Sequence, residues 1–241
     1  MSDCQSRKNG NEVEGGYRVP SYWDVACREL AAGDPVLQYL IGRYRDVEFC
    51  SRGSAFETLL RAIVGQQISV KAAQSVWERL AAGLGEVSVQ RVQGATEDEL
   101  RACGLSRQKV RYIRDLADHF GSGLLDSGTF HQLEDEKLIA RLCDVRGIGR
   151  WTAEMFLIFH LQRPDIFPLQ DIGLIRAIER FYLGERVTDP TIQPEVRTLP
   201  QKGISRETAK RAEEVGERWR PWRTVATWYL WRSLDPFPVA Y

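Results

Sequence analysis

Two features of this 241-residue chain could do chemistry: a Gly-x-Gly turn and a lone carboxylate. The turn is Gly147-Ile148-Gly149, inside the stretch Val145-Arg146-Gly147-Ile148-Gly149-Arg150-Trp151-Thr152-Ala153. The carboxylate, Asp171, follows Trp151 by 20 positions, where the chain re-enters a helical pattern at Ile172. Glycines let a backbone turn tightly and let another group approach it closely. The amides after the turn open a helix, an arrangement that favours an anion. Helix, hairpin and helix together would grip a phosphate without reading sequence. A Gly-x-Gly between helices also serves as a C-cap, and Asp as an N-cap. The spacing leaves both readings open, and a cap that also faces a ligand satisfies both.

Aromatic residues surround these features in sequence. Trp151 follows the turn directly, and Trp219, Trp222, Trp228 and Trp231 fall close together near the C-terminus. Indole faces fill cores, and they also stack on a base taken out of a duplex, favouring a cationic one.

The elements that must position these groups read as helices. Phe56, Leu59, Leu60, Ile63 and Val64 form one apolar stripe behind Ser54, a candidate N-cap. Gly65-Gln66-Gln67-Ile68 breaks it, and Ser69 can cap a helix over Val70 to about Leu80. Thr96 to Glu99 reads as a capping box, and Ser106 as the cap of a helix carrying Val110, Ile113, Leu116 and Ala117. Leu138, Ile139 and Leu142 lead into the glycine turn. Trp151–Leu161, Ile172–Leu183, Arg206–Val215 and Val225–Leu234 supply further helices. No alternating run of strand type is present. The expected fold is therefore all-α, one compact helical unit, bilobal with a cleft. Residues 1–17 read as a disordered polar tail ahead of a unit over 18–241.

Composition narrows the class. Lys plus Arg and Asp plus Glu are 33 each, so the net charge is zero and any basic face must be local. Arg101, Arg107, Lys109, Arg111 and Arg114 crowd one segment, and Arg218, Arg220 and Arg223 another. Solvated helix faces account for such clusters equally well. Cys4, Cys27, Cys50, Cys103 and Cys143 are widely spaced and odd in number, which fits a reducing compartment and excludes a zinc knuckle or iron–sulfur cluster. His119, His131 and His160 share no metal-ligand spacing, and His119 and His160 read as structural. No apolar run approaches the ~20 residues that cross a membrane. An intracellular protein is expected.

Five segments in order resemble the helix–hairpin–helix DNA glycosylases of the 3-methyladenine DNA glycosylase II kind. They are Phe56 to Ala73, Gly104 to Ala117, Val145 to Ala153, Pro168 to Arg176 and Trp219 to Arg232. The resemblance covers most of residues 20–235 and lacks the N-terminal sheet domain that some relatives carry. It implies two helical subdomains, one over about 55–165 and the other from about 18–54 with 166–241. The partner implied is double-stranded DNA with alkylated bases, bound by a monomer, in the nucleoid of a bacterium or the nucleus of a eukaryote. The activity implied is removal of alkylated purines of the 3-methyladenine and 7-methylguanine type.

Residue by residue, the resemblance implies that the amides of Gly147 and Gly149 hold a DNA phosphate with support from Thr152, and that Asp171 is the catalytic aspartate. Trp151, Met155 and Trp231 take base-pocket positions, and Gln67 the position of a wedge that fills the gap left by a flipped nucleotide. No cofactor is required. A sodium or potassium ion can be held by main-chain carbonyls, matched here by Cys143, Val145 and Ile148. Two positions depart from the family pattern: Gln67 is polar where an apolar wedge can stand, and Met155 is a thioether where an aromatic ring can stand. Relatives that also cut the strand carry a lysine where Trp151 stands, and an indole forms no Schiff base. Lys137 is the lysine nearest the hairpin in sequence. Absence of a cysteine cluster argues against the endonuclease III and adenine-mismatch branches. The alternatives are a non-catalytic damaged-DNA-binding protein, or a glycosylase for a deaminated or etheno purine.

Overall fold

The computed structural model describes residues 19–45, 49, 51, 53–183 and 205–234, and among them every regular element is helical. The stretch read as a disordered tail lies outside the described residues. The chain divides into two compact units, one formed by Met1–Cys50 with Gln162–Ala240 and the other by Ser51–Leu161.

The central unit, Ser51–Leu161, holds α3 (Ala55–Gly65), α4 (Val70–Leu84), α5 (Val89–Gly94), α6 (Glu97–Ala102), α7 (Arg107–Gly121), α8 (Asp135–Cys143) and α9 (Arg150–Phe159). Its helix starts are encoded locally. The hydroxyls of Ser54, Ser69, Ser88 and Ser106 each accept the amide three residues on, satisfying a donor that the helix leaves orphaned. Thr96 and Glu99 form the reciprocal capping box, and the bonds to Thr96 hold the Glu99 carboxyl below its ordinary range. The stripe of α3 is buried throughout, from Phe56 to Val64. A chain of rings ties the unit together: Phe56 on Phe120, Phe120 on Phe130, Phe130 on Phe156, and Phe156 stacked on His160 at 4.8 Å. His160 Nδ1 also meets the hydroxyls of Thr58 at 3.0 Å and Ser51 at 3.2 Å, so this imidazole is structural.

The terminal unit holds α1 (Trp23–Gly33), α2 (Pro35–Arg43), α10 (Ile172–Ile178), a π segment continuing it over Glu179–Leu183, α11 (Arg206–Glu217) and α12 (Arg223–Leu234). Trp23, Phe49, Trp228 and Tyr229 form its aromatic centre. Asp34 is a polar hub beside it. Its side chain caps α2 by accepting Val36 N and Leu37 N, and it also accepts the Tyr182 hydroxyl and the Trp219 indole N–H at 3.0–3.1 Å. Burial and the adjacent Asp34 carboxylate push the Tyr182 hydroxyl far above its ordinary pKa. Among the described residues no helix is long and apolar enough to cross a membrane.

Asp34→Ala removes a helix cap and strands two buried donors. The expected loss of stability is about 3–5 kcal/mol, read as a lowered urea midpoint. Asp34→Asn, which keeps an acceptor and the cap, should lose less than half of that.

Candidate functional site

The glycine turn joins α8 to α9 within the central unit. Val145 and Ile148 are buried, and Ile148 N donates to the Val145 carbonyl at 3.0 Å, closing the turn. Gly147 has φ +87°, and a Cβ built there would lie 2.2 Å from the Tyr112 ring. Glycine is therefore required twice over, by conformation and by the ring on α7. Gly149 is different. It occupies the N-cap of α9 with φ −91°, has open space around its α-carbon, and supplies no capping side chain. Eight other helices among those described are capped by a Ser, Thr or Asp side chain.

Helix α7 buttresses this hairpin. Asp115 accepts the Arg146 amide at 2.8 Å and lies 3.5 Å from its guanidinium, and Tyr112 packs on Gly147. On α9 the Arg150 side chain bridges Glu136 and the buried Glu154, so this arginine is committed to carboxylates. Trp151 and Thr152 in the first turn of α9 are half-buried, whereas Met155 is 6% exposed. Cys143 ends α8 and is exposed. The carbonyls named for a cation belong to one six-residue stretch, Cys143 to Ile148, ending α8 and opening the hairpin.

The wedge candidate Gln67 lies on the turn between α3 and α4. It is exposed and held at φ +59°, a left-handed conformation that costs a non-glycine residue about 1 kcal/mol or more. Ile68 and Val70 beside it are 40% and 75% exposed, apolar side chains that motif matching at the wedge position overlooked. Two further residues escaped sequence reasoning. Gln66 donates its side-chain amide to the Gly147 carbonyl at 2.8 Å, and Lys109 donates its ammonium to the Val64 carbonyl at 2.6 Å. Partial burial lowers the Lys109 pKa. The sequence-nearest Lys137 is instead exposed and pairs with Glu134.

Asp171 belongs to the terminal unit and is the N-cap of α10. Its Oδ1 accepts Leu174 N at 2.7 Å and the Trp231 indole N–H at 2.8 Å. A Cβ on Gly173 would stand 3.1 Å from that oxygen and 3.5 Å from the Trp231 ring, so the bare glycine leaves room for the indole. The base of α12 is fixed for this purpose. Thr224 Oγ1 donates to the Arg163 carbonyl and accepts Ile166 N, while Arg223 grips Asp165 through Nε at 2.7 Å. Arg220 joins the same network with Asp165 and Glu217, so the C-terminal arginine cluster is largely an ion-pair scaffold. The four clustered tryptophans divide: Trp219 and Trp228 are buried, Trp222 donates to Glu29, and Trp231 meets Asp171.

Comparison with known proteins bears on what these groups do. Residues 60–201 match the HhH-GPD superfamily of base excision DNA repair proteins. The DNA-3-methyladenine glycosylase 1 of Schizosaccharomyces pombe is 31% identical over 198 residues, covering 80% of this chain and 78% of that protein. The crystal structure of a DNA-3-methyladenine glycosidase from Bacillus halodurans aligns with TM-score 0.73 and 30% identity, over 87% of this chain and 89% of that one. The Schizosaccharomyces pombe 3-methyladenine DNA glycosylase in complex with abasic DNA aligns with TM-score 0.65 and 27% identity, over 89% and 100%.

Two glycine substitutions test the hairpin independently of any ligand. Gly147→Ala meets both a disfavoured φ and the Tyr112 ring, with an expected cost of about 3 kcal/mol or more. Gly149→Ala meets neither, and should change the thermal midpoint little. Comparable losses for the two would show that the Tyr112 contact does not set the turn.

Proposed function

The chain belongs to the HhH-GPD superfamily of base excision DNA repair proteins, and on that premise we propose that it is a monofunctional DNA glycosylase releasing alkylated purines. The observation that carries the proposal is the carboxylate of Asp171, held on one oxygen by a helix amide and an indole N–H. A group so fixed is preorganised to oppose positive charge without having to reorient.

The chemistry asks for little else. An N3- or N7-alkylated purine is already cationic, so the C1′–N9 bond breaks with its electron pair leaving on a neutral base, and no general acid is needed. Positive charge then develops on the deoxyribose. The Asp171 carboxylate would stabilise it and orient the water that adds to C1′. Trp231, whose N–H meets Asp171, would offer the base an aromatic face, which favours an electron-poor ring; Trp151 and Met155 on α9 are the other residues we propose to bear on base choice. Damaged bases pair weakly, which lowers the cost of flipping.

The backbone of Gly147 and Gly149, with Thr152, would hold a phosphate at the start of α9, where the N-cap carries no side chain. The turn bearing Gln67 would enter the gap, with Ile68 supplying apolar surface beside it. A sodium or potassium ion would be held by the Cys143, Val145 and Ile148 carbonyls and would add positive charge beside the phosphate. Neutral oxygens suit a monovalent ion, and among the described residues no His, Cys, Asp or Glu cluster could hold a metal. Absence of strand cleavage is proposed from Trp151, an indole where a nucleophilic amine would be needed, and from Lys109 being engaged by the Val64 carbonyl.

Base release from dimethyl-sulfate-treated duplex DNA tests the activity. Asp171→Asn keeps an oxygen for Leu174 N and Trp231 but loses the charge, and should release methylated purines roughly 10²–10³-fold more slowly with binding retained. Binding lost in parallel would reduce Asp171 to a structural cap. Binding by the wild type with no release from any single-lesion duplex would instead favour a damage-binding protein. For the missing lyase step, borohydride treatment of a reaction on abasic DNA should trap no covalent adduct, and a trapped adduct would overturn that part of the proposal.

A further inference from the structure

We infer that Gln66 is a positioning residue that locks the wedge turn to the phosphate-binding hairpin, so that gripping the backbone and filling the gap occur as one rigid motion. This rests on the function proposed above. The chain leaves α3 at Gly65 and reaches α4 at Val70, and between them Gln67 stands in the left-handed region. Such a short turn has little to hold it except what its ends touch. Gln66 spans from it to the hairpin, its amide N–H meeting the Gly147 carbonyl at 2.8 Å. Gly147 is itself immobilised by the Tyr112 ring and its own φ of +87°.

Helix α7 makes the second half of the lock. Lys109, Tyr112 and Asp115 recur every three residues along one side of that helix. Lys109 holds the last turn of α3 through the Val64 carbonyl, Tyr112 lies against Gly147, and Asp115 holds the Arg146 amide. One helix thus fixes the root of the wedge turn and the hairpin, and Gln66 joins the two directly. A phosphate clamp acts on any duplex, whereas a wedge gains contacts only where a base has left its stack. A residue that sets the wedge relative to the clamp should therefore change preference for a gapped site more than general affinity.

The test compares binding to an undamaged duplex and to the same duplex carrying a tetrahydrofuran abasic analogue, at one salt concentration. Gln66→Met keeps the side-chain volume and removes the donor. Its preference for the abasic duplex should fall about threefold to tenfold, the range of one hydrogen bond between neutral groups, with undamaged-duplex affinity held within about twofold. Gln66→Glu, which sets a carboxylate against the Gly147 carbonyl, should show at least the same loss of preference. Equal losses on both duplexes would overturn the inference by making Gln66 part of the clamp or the fold, and so would an unchanged preference. Base release by the wild type, measured alongside, separates this from the parent reading: full release with an unchanged preference in Gln66→Met sinks the positioning role alone.

Discussion

The closest constraint in the central unit is the contact between Gly147 and the Tyr112 ring. The ring leaves no room for a Cβ on a residue that already stands at φ +87°, and it sets where the hairpin stands on α7. From that contact the other features can be placed. The Gly147 carbonyl receives Gln66, the preceding amide of Arg146 reaches Asp115, and the following residues open α9. Such a backbone site depends little on side-chain chemistry, which is why the surrounding charges are free to do something else. Arg150, at the start of α9, pairs with Glu136 and Glu154.

Under the proposed function, this use of arginine fits a chain of zero net charge acting on a polyanion. A clamp made from amides and a helix end needs fewer lysines and arginines than one made from side chains. The second cluster of basic residues fixes the start of α12, and through it the indole that meets Asp171. Its charge serves the active-site candidate from a distance, by holding a helix.

Local signals were the legible part of the sequence. Ser54, Ser69, Thr96 and Ser106 each announce a helix start, because a capping hydroxyl acts within three residues. The Gly-x-Gly turn and the Asp171 cap were legible for the same reason. Helices α1 and α2, together with short α5, were not picked out. Ser88 caps α5 and Asp34 caps α2 through amides within three residues, so those starts were local signals left unread; what the sequence could not carry is that Asp34 also serves Tyr182 and Trp219 from far along the chain. The links that matter most to the site are of this second kind. Gln66 and Gly147 are 81 residues apart, Lys109 and Val64 are 45 apart, and Trp231 and Asp171 are 60 apart. No periodicity or motif spacing carries such pairings, and a tryptophan's role as ring or as donor is decided only by what its N–H meets.

The bare N-cap of α9 has a thermodynamic consequence. Ser106 completes α7 with its side chain, and Asp171 completes α10, but Gly149 brings only its carbonyl to its own helix and no capping side chain. Any anion that settles there finishes the element as a capping side chain would. Ligand and fold then become linked quantities: the occupied protein unfolds later by an amount that grows with the logarithm of ligand concentration. In the proposed setting, duplex DNA would act as a stabilising component of the native state, and the enzyme would be at its most robust while seated on the molecule it inspects.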